Sequence, residues 1–229
     1  MAEQARSPLT RPILLIALLL PLGLLALLYL GGEQKFDRVP FAYDIQNGDT
    51  VFHTLPVFSF TRPNGTEVSE KDFQGKITLL TFFAVGDDYQ SKTTVLFGNL
   101  MRTYENVDWE MAPPFQFASI NTGDSLAAIQ AFQAGMEADP ENWWLLYHDS
   151  QEMVLKVGRD ALDIPELKGK SDGFRPVTSQ VAVLIDREGR VRKYYYATDL
   201  QEERKIQEDL ITLLRVDYPE EIKRMRQGK

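Results

Sequence analysis

Residues 77–94 read "ITLLTFFAVGDDYQSKTT", and this stretch decides which fold the chain adopts. Its first nine residues, Ile77 to Val85, carry no charge and are rich in β-branched and aromatic side chains. Such a run is typical of a strand that is buried on both faces. Gly86, Asp87 and Asp88 then lead into a segment whose apolar residues recur at helical spacing. The stretch therefore predicts a strand-to-helix corner, a place where many α/β folds bind their ligands.

The chain has 229 residues and no cysteine. This composition excludes disulfides, thiolate catalysis, thiol exchange and cysteine-ligated metals. The net charge of −8 argues against a nucleic-acid partner, because phosphate binding requires a basic surface. At 44% hydrophobic and 25% charged residues, the composition is that of a globular protein.

The N-terminal part of the chain predicts a membrane anchor. Residues 13–30, "ILLIALLLPLGLLALLYL", carry no charge. As a helix they would span about 27 Å, close to the roughly 30 Å of a bilayer core. The alternative is a cleaved signal peptide, whose apolar region is usually about 7–15 residues long and is followed by a small-residue cleavage site. The following "LLYLGGEQK" shows no such site.

The charges around the apolar run predict its orientation. Arg6 and Arg11 precede it, so the short N-terminal tail is expected to stay in the cytoplasm. We expect a cytoplasmic tail at 1–12, a single-pass anchor in the cytoplasmic (inner) membrane at 13–31, and the remaining chain on the extracytoplasmic, periplasmic side.

The rest of the chain predicts one domain at 53–217, between a linker or edge segment at 32–52 and a basic tail at 218–229. The first predicted elements are a hairpin turning at Pro63-Asn64-Gly65, a short helix capped by Ser69, the strand 77–85 and a helix with an inner face from Val95 to Tyr104. A strand at 115–120, a helix capped by Asp124 or Ser125 with Leu126 on its inner face, and a short strand at 143–147 follow. The last predicted elements are a helix capped by Asp149, a loop at 159–177, a hairpin turning at Asp186 to Arg190 and a helix capped by Asp199. This order predicts a thioredoxin-like α/β sandwich, a central mixed sheet flanked by helices with an N-terminal β-hairpin.

Three stretches resemble the Sco/SenC family, the membrane-anchored, thioredoxin-like copper chaperones of cytochrome oxidase assembly. They are "HTLPVFSFTRPNGTEVSEKDFQGKITLLTFF" at 53–83, "SINTGDSLAAIQAFQAGMEADPENWWLLYHD" at 119–149 and "SQVAVLIDREGRVRKYYYATD" at 179–199. The N-terminal anchor is similar to the usual topology of that family. The resemblance covers roughly residues 52–215.

The resemblance also implies where a copper site would lie. Members of the family carry a C-x-x-x-C pair at the corner and a histidine just before the terminal hairpin. Aligned with that pattern, Asp87 and Ser91 stand at the cysteine positions and Thr178 stands at the histidine position. Copper(I) is held by thiolate, thioether or imidazole, whereas carboxylate and hydroxyl oxygens suit hard ions. We therefore expect a divergent member that has no catalytic residue, no cofactor and no metal at this site.

The corner aspartates have two further interpretations. Asp87 and Asp88 at a helix N-terminus favour a capping role, because the helix dipole stabilises carboxylates there. They would alternatively form a hard-cation site together with Asp124 or Asp149. An enzyme built on these carboxylates is a third possibility, although no base, nucleophile and orienting group can be named together.

Two other features bear on function. His53, His148 and scattered methionines would form a relocated site if the protein handles copper or another metal. The tyrosines at 194–196 indicate either a protein contact or ordinary sheet packing. Our leading hypothesis is a non-catalytic binding or assembly partner of a respiratory complex, with cytochrome oxidase subunits as the expected protein partners.

Overall fold

The computed structural model describes residues 19–21, 38–105, 114–136, 141–162 and 180–220. The chain divides into two units, Met1–Asp37 and Arg38–Lys229. Of the first unit only residues 19–21 are described, and they are helical. No helix among the described residues is long and apolar enough to cross a membrane. The predicted anchor falls almost entirely outside these residues and stays a prediction, as does most of the basic tail at 218–229.

Two small antiparallel hairpins open the second unit. Strands β1 (Tyr43–Gln46) and β2 (Asp49–Phe52) form the first, and β3 (Ser59–Thr61) and β4 (Glu67–Ser69) form the second. The second hairpin turns at Pro63-Asn64-Gly65, as predicted, and continues into a short 3₁₀ helix at Glu70–Phe73. The backbone N–H of Ser69 donates to the Asp72 carboxylate at 2.7 Å, which completes the predicted cap.

The hairpin β1–β2 lies in the segment that the sequence predicted as a linker or an edge. The segment lacks sustained periodicity, but its turn residues Asn47 and Gly48 have φ values of 54° and 89°. Positive φ at both central residues is what a type I′ hairpin turn requires, and Asn-Gly is the pair that adopts it most readily. The local turn chemistry therefore decides the structure here.

The main sheet has five strands in the order β7-β6-β5-β8-β9. They are β5 (Ile77–Phe83), β6 (Phe115–Asn121), β7 (Trp143–Leu146), β8 (Val181–Ile185) and β9 (Val191–Tyr196). Strands β5, β6 and β7 run parallel, whereas β8 and β9 form the predicted antiparallel hairpin. All seven residues of β5 are buried, which confirms the prediction of a central strand.

Among the described residues, four helices cover the sheet: α1 (Asp88–Glu105), α2 (Leu126–Ala134), α3 (Gln151–Leu155) and α4 (Leu200–Val216). Apolar residues of α1, α2 and α4 form one buried cluster with one face of the sheet. Those of α3 and the β3–β4 hairpin form a second cluster on the other face. The described elements confirm the thioredoxin-like sandwich, because a mixed sheet is flanked by helices. A π-helical stretch at Lys156–Ala161 extends α3 and occupies the start of the loop predicted at 159–177.

Two helix caps are confirmed and one predicted cap is wrong. Ser125, one of the two predicted candidates, caps α2 by accepting a hydrogen bond from the Ala128 backbone, and Asp199 caps α4. The cap of α3 is Ser150 and not Asp149, because the Ser150 hydroxyl accepts from the backbone N–H of Met153.

Two residues that were predicted on inner helix faces are exposed. Val95 on α1 is 51% exposed and Leu126 on α2 is 38% exposed. On α1 the buried stripe consists of Leu96, Phe97, Leu100, Met101 and Tyr104. Phe97 therefore takes the place in the core that the sequence analysis assigned to Val95.

The start of the second unit is held to the sheet by Arg192 on β9, whose side chain is fully buried. Its guanidinium carbon lies 3.9 Å from the centroid of the Phe41 ring. The guanidinium donates to four groups, the carboxylates of Asp186 and Asp217 and the backbone carbonyls of Val39 and Pro40. Because a buried charge is costly unless it is paired, this network fixes the first residues of the unit in place.

Candidate functional site

The predicted strand-to-helix corner is present between β5 and α1. Gly86 has a φ of 80°, in the region that glycine adopts without strain. Asp87 directly precedes α1, and its Oδ1 accepts a hydrogen bond from the backbone N–H of Tyr89 at 2.8 Å. Asp88 is the first residue of α1 and is exposed. This geometry supports the capping interpretation, since a carboxylate here satisfies an otherwise unpaired N–H at the helix start.

The loop between β6 and α2 is hydrogen-bonded to the corner. Oδ2 of Asp124 accepts from the backbone N–H of Val85 at 2.7 Å and from Nδ2 of Asn121 at 2.6 Å. Oδ1 of Asn121 accepts in turn from the backbone N–H groups of Gly123 and Asp124. These hydrogen bonds join the ends of β5 and β6 through protein groups.

Sequence analysis named Asp124 but missed Asn121. The available signal was an Asn-Thr-Gly-Asp turn at the end of a buried strand, since Asn and Asp side chains commonly bond to the backbone of such turns. Because β5 and β6 are parallel neighbours, their carboxyl ends meet at the same edge of the sheet. That adjacency brings Asp124 within reach of Val85.

The structure places two of the three positions at which copper ligands would be expected. Asp87 and Ser91 stand four residues apart at the start of α1, about one helical turn. Ser91 is exposed, and Asp87 is already engaged with the Tyr89 amide. Thr178 lies outside the described residues, so its distance from the corner stays untested.

The donor groups at the corner do not fit a cuprous ion. Asp87 and Ser91 offer carboxylate and hydroxyl oxygens, and the chain has no cysteine to supply sulfur. Within the part of the chain that the structure describes, no three or more histidine, aspartate or glutamate side chains are grouped as metal ligands. The hard-cation site proposed for the corner aspartates therefore has no support among these residues.

His53 contacts a hydroxyl and a carboxylate. Its Nδ1 lies 3.2 Å from the Tyr194 hydroxyl, and its Nε2 lies 3.2 Å from Oδ2 of Asp44. The Tyr194 hydroxyl donates to the backbone carbonyl of Leu162 at 2.9 Å. His53 also accepts a backbone hydrogen bond from Val191 and therefore lies beside the edge strand β9.

His148 lies near the opposite edge of the sheet, directly after β7. Its Nδ1 accepts from the backbone N–H of Ser150, and its ring packs edge-on against Phe60. Four strand spacings of about 4.8 Å separate β7 from β9, so the two edges lie roughly 19 Å apart. The structure does not bring His53 and His148 together, and a relocated metal site that uses both gains no geometric support.

The three consecutive tyrosines have different environments. Tyr195 is buried, and its hydroxyl donates to Oδ2 of Asp209 at 2.7 Å. Burial, with a further contribution from Asp209, raises the pKa of Tyr195. Tyr194 makes the half-buried contacts given above, whereas Tyr196 is 62% exposed. Sheet packing therefore accounts for Tyr194 and Tyr195, and Tyr196 alone is available to a partner.

A cavity of about 610 Å³ lies between α1 and α2 against Trp143 of β7. Its lining is mainly apolar, and Arg102 is the single charged residue among the described residues that line it. Trp143 itself is buried and donates from its indole N–H to the Ser119 hydroxyl at 2.9 Å. Trp143 therefore belongs to the core of the domain.

No family model matches the chain, and no curated protein matches it. Solved structures do match the chain. A SCO1/SenC family lipoprotein from Bacillus anthracis is 24% identical, with 71% of this chain and 96% of that chain covered and a TM-score of 0.60. BsSco, a member of the Sco family of cytochrome c oxidase assembly proteins, is 19% identical over 73% and 97% of the two chains, with a TM-score of 0.57. Yeast Sco1 is 17% identical over 70% and 99%, with a TM-score of 0.53. The resemblance to Sco/SenC proteins that the sequence predicted is confirmed at the level of the fold.

Proposed function

We propose that this chain is a divergent, membrane-anchored Sco-like protein that acts by binding a protein partner, without copper or redox chemistry at the corner. One observation carries the proposal. A strand-to-helix corner is present in a Sco-like fold, and it presents Asp87 and Ser91 in a chain that has no cysteine.

Coordination chemistry explains why this observation separates binding from copper delivery. A cuprous ion requires soft donors, and neither oxygen donor at the corner is soft. A dithiol–disulfide exchange requires a thiolate nucleophile, which this sequence cannot provide. The corner carboxylate of Asp87 is engaged in capping α1, so it stabilises the fold.

Fold likeness supplies the proposed biological setting. BsSco, one of the matching structures, is a member of a family of cytochrome c oxidase assembly proteins. We propose the same setting here, with subunits of a respiratory oxidase as partners and the domain held on the periplasmic side by the predicted anchor. Because a fold does not determine function, two experiments are needed to test the proposal.

Copper binding is tested by anaerobic titration of the full chain in detergent with copper(I). We expect no tight 1:1 site in the wild type. The triple variant Asp87→Cys/Ser91→Cys/Thr178→His places the donor types of the family in the same scaffold and serves as the matched positive control. Tight copper(I) binding by the wild type would contradict the proposal. If that binding disappears in the variant His53→Ala/His148→Ala, the relocated-site alternative is correct.

The partner is tested in cells by deletion, complementation and purification in mild detergent. We expect oxidase subunits to co-purify with the intact chain, and we expect the deletion to lower the amount of assembled oxidase. The variant Asp87→Asn/Ser91→Ala should restore assembly as well as the wild type does, because asparagine preserves the cap of α1 and the corner carries no chemistry. Normal oxidase levels in the deletion strain, with no subunit recovered, would refute the assembly role.

A further inference from the structure

The β1–β2 hairpin has an uncharged face and a charged face. All eight strand residues are exposed. Residues paired directly across an antiparallel ladder point to the same side. The pairs Tyr43–Phe52 and Ile45–Thr50 therefore share one face, and this face carries no charge. The opposite face holds Asp44, Gln46, Asp49 and Val51, with both acidic residues of the hairpin.

The uncharged face, which consists of Tyr43, Ile45, Thr50 and Phe52, exposes large apolar side chains. Ile45 is 70% exposed, Tyr43 is 53% exposed and Phe52 is 42% exposed. Phe52 also contacts the ring of Phe41 at a centroid distance of 5.1 Å, which links this face to the body of the domain. An isolated two-stranded hairpin is at best marginally stable in water, and contiguous exposed apolar residues mark a contact surface.

The position of the hairpin in the chain indicates what this face contacts. Twelve residues lie between Leu30, where the apolar run ends, and Tyr43. Even a fully extended chain of that length reaches at most about 45 Å, so an anchored chain keeps the hairpin within that distance of the bilayer. Tyrosine and other amphipathic aromatic side chains favour the membrane–water interface.

The charge distribution is consistent with an apolar contact. The chain has a net charge of −8, so its overall charge does not attract it to an anionic lipid surface. We propose that the uncharged face of the hairpin lies in the interfacial layer of the bilayer, while Asp44 and Asp49 face water. This inference rests on the membrane anchoring proposed above, and it assigns the hairpin the role of orienting the domain at the membrane.

The absence of cysteine makes the test direct, because one introduced cysteine carries the only label. Ile45→Cys and Gln46→Cys are neighbours on opposite faces of β1 and form a matched pair. Each full-length variant is labelled with a fluorophore and reconstituted into phosphatidylcholine vesicles with or without nitroxide-labelled lipid. We expect lipid nitroxide to quench the label at 45 several-fold more than the label at 46. Aqueous iodide should show the reverse order.

A second label position excludes an effect of the label itself. The variant Thr50→Cys reports from the same face as Ile45, so its label should be quenched strongly by lipid nitroxide. Adding Tyr43→Ser and Ile45→Ser should lower that quenching to the level seen at position 46. Tryptophan fluorescence of each variant verifies that the domain remains folded.

Vesicle flotation separates failure of this inference from failure of the anchoring. If the chain does not float with vesicles, both the anchored topology and the hairpin inference are wrong. If it floats but the labels at 45 and 46 are quenched equally, or neither is quenched, only the hairpin inference is wrong. In that case the uncharged face belongs to a protein contact or to solvent.

Discussion

Replacing Arg192 by methionine tests whether a buried guanidinium holds the start of the domain to the sheet. Methionine keeps an apolar stem in the same space but removes every donor of the network. Asp186 retains a hydrogen bond from Nε of Arg190 at 2.9 Å, and Asp217 retains the Arg38 guanidinium at 2.8 Å. The backbone carbonyls that accept from Arg192 lose this donor. The buried carboxylate of Asp186 loses one of its two cationic partners, Arg190 and Arg192.

These contacts set the expected magnitude. Removing one partner of a buried ion pair costs about 3–5 kcal/mol, because the remaining charge stays buried. We expect the lower end, about 3 kcal/mol, since both carboxylates keep one cationic partner. Arg192→Lys should recover little of this loss, because an ammonium group cannot reproduce the planar fork of a guanidinium.

The assay is urea unfolding of the full chain in non-ionic detergent, followed by tryptophan fluorescence, with free energies extrapolated to zero denaturant. Arg204→Met is the matched control, because the Arg204 side chain is 86% exposed and its ion pair is with Glu208 four residues on. Such an exposed helix pair contributes about 0.3–0.5 kcal/mol. If Arg192→Met lowers the free energy of unfolding by no more than the control does, the buried network does not stabilise the domain as reasoned here.

Three further predictions concern the core and the corner. The pKa of Tyr195 is raised in the folded state, so its contribution to stability is complete below the unfolded pKa of about 10 and is lost as the pH rises above it. Tyr195→Phe should therefore reduce the fall of the unfolding free energy above pH 10 by up to about 1.4 kcal/mol per pH unit. Asp124→Ala removes the acceptor of two hydrogen bonds at the corner and should cost about 1–3 kcal/mol in urea unfolding, whereas Asp124→Asn should retain part of the stability. Gly86→Ala should cost about 1–2 kcal/mol in the same assay, because the backbone is left-handed there although the space is open. Gly98→Ala, within α1 and also in open space, should instead raise stability by up to about 1 kcal/mol, and equal effects of the two alanines would contradict the backbone explanation.

The parts of the fold that the sequence predicted correctly are those with strong local patterns. The continuous apolar run of β5 is rich in β-branched and aromatic residues, and the apolar run of β8 is followed by a turn at Asp186 to Arg190 and a second strand. The first hairpin was missed because its apolar residues are exposed, so burial does not shape their pattern. Its Asn47-Gly48 turn was the usable signal.

The contacts that the sequence did not predict are non-local. Arg192 lies in "VRKYYY", where an arginine between Val191 and Lys193 is expected to face solvent, yet its partners include residues 39–40 and 217. In the same way, the bond from Val85 to Asp124 joins two loops that are 39 residues apart. Only the three-dimensional arrangement of the strands reveals such partners.

At the corner, the contacts that maintain the fold are distinct from any ligand-binding groups. Asn121 and Asp124 fix the end of β5 through hydrogen bonds within the protein, and Asp87 caps α1 without help from a ligand. These hydrogen bonds stabilise the corner without a sulfur donor, so its conformation and any ligand affinity have separate origins. The same independence means that likeness of fold carries no information about copper here. The oxidase-assembly role proposed above would then use the exposed surface, where Tyr196 presents an aromatic group that the domain does not bury.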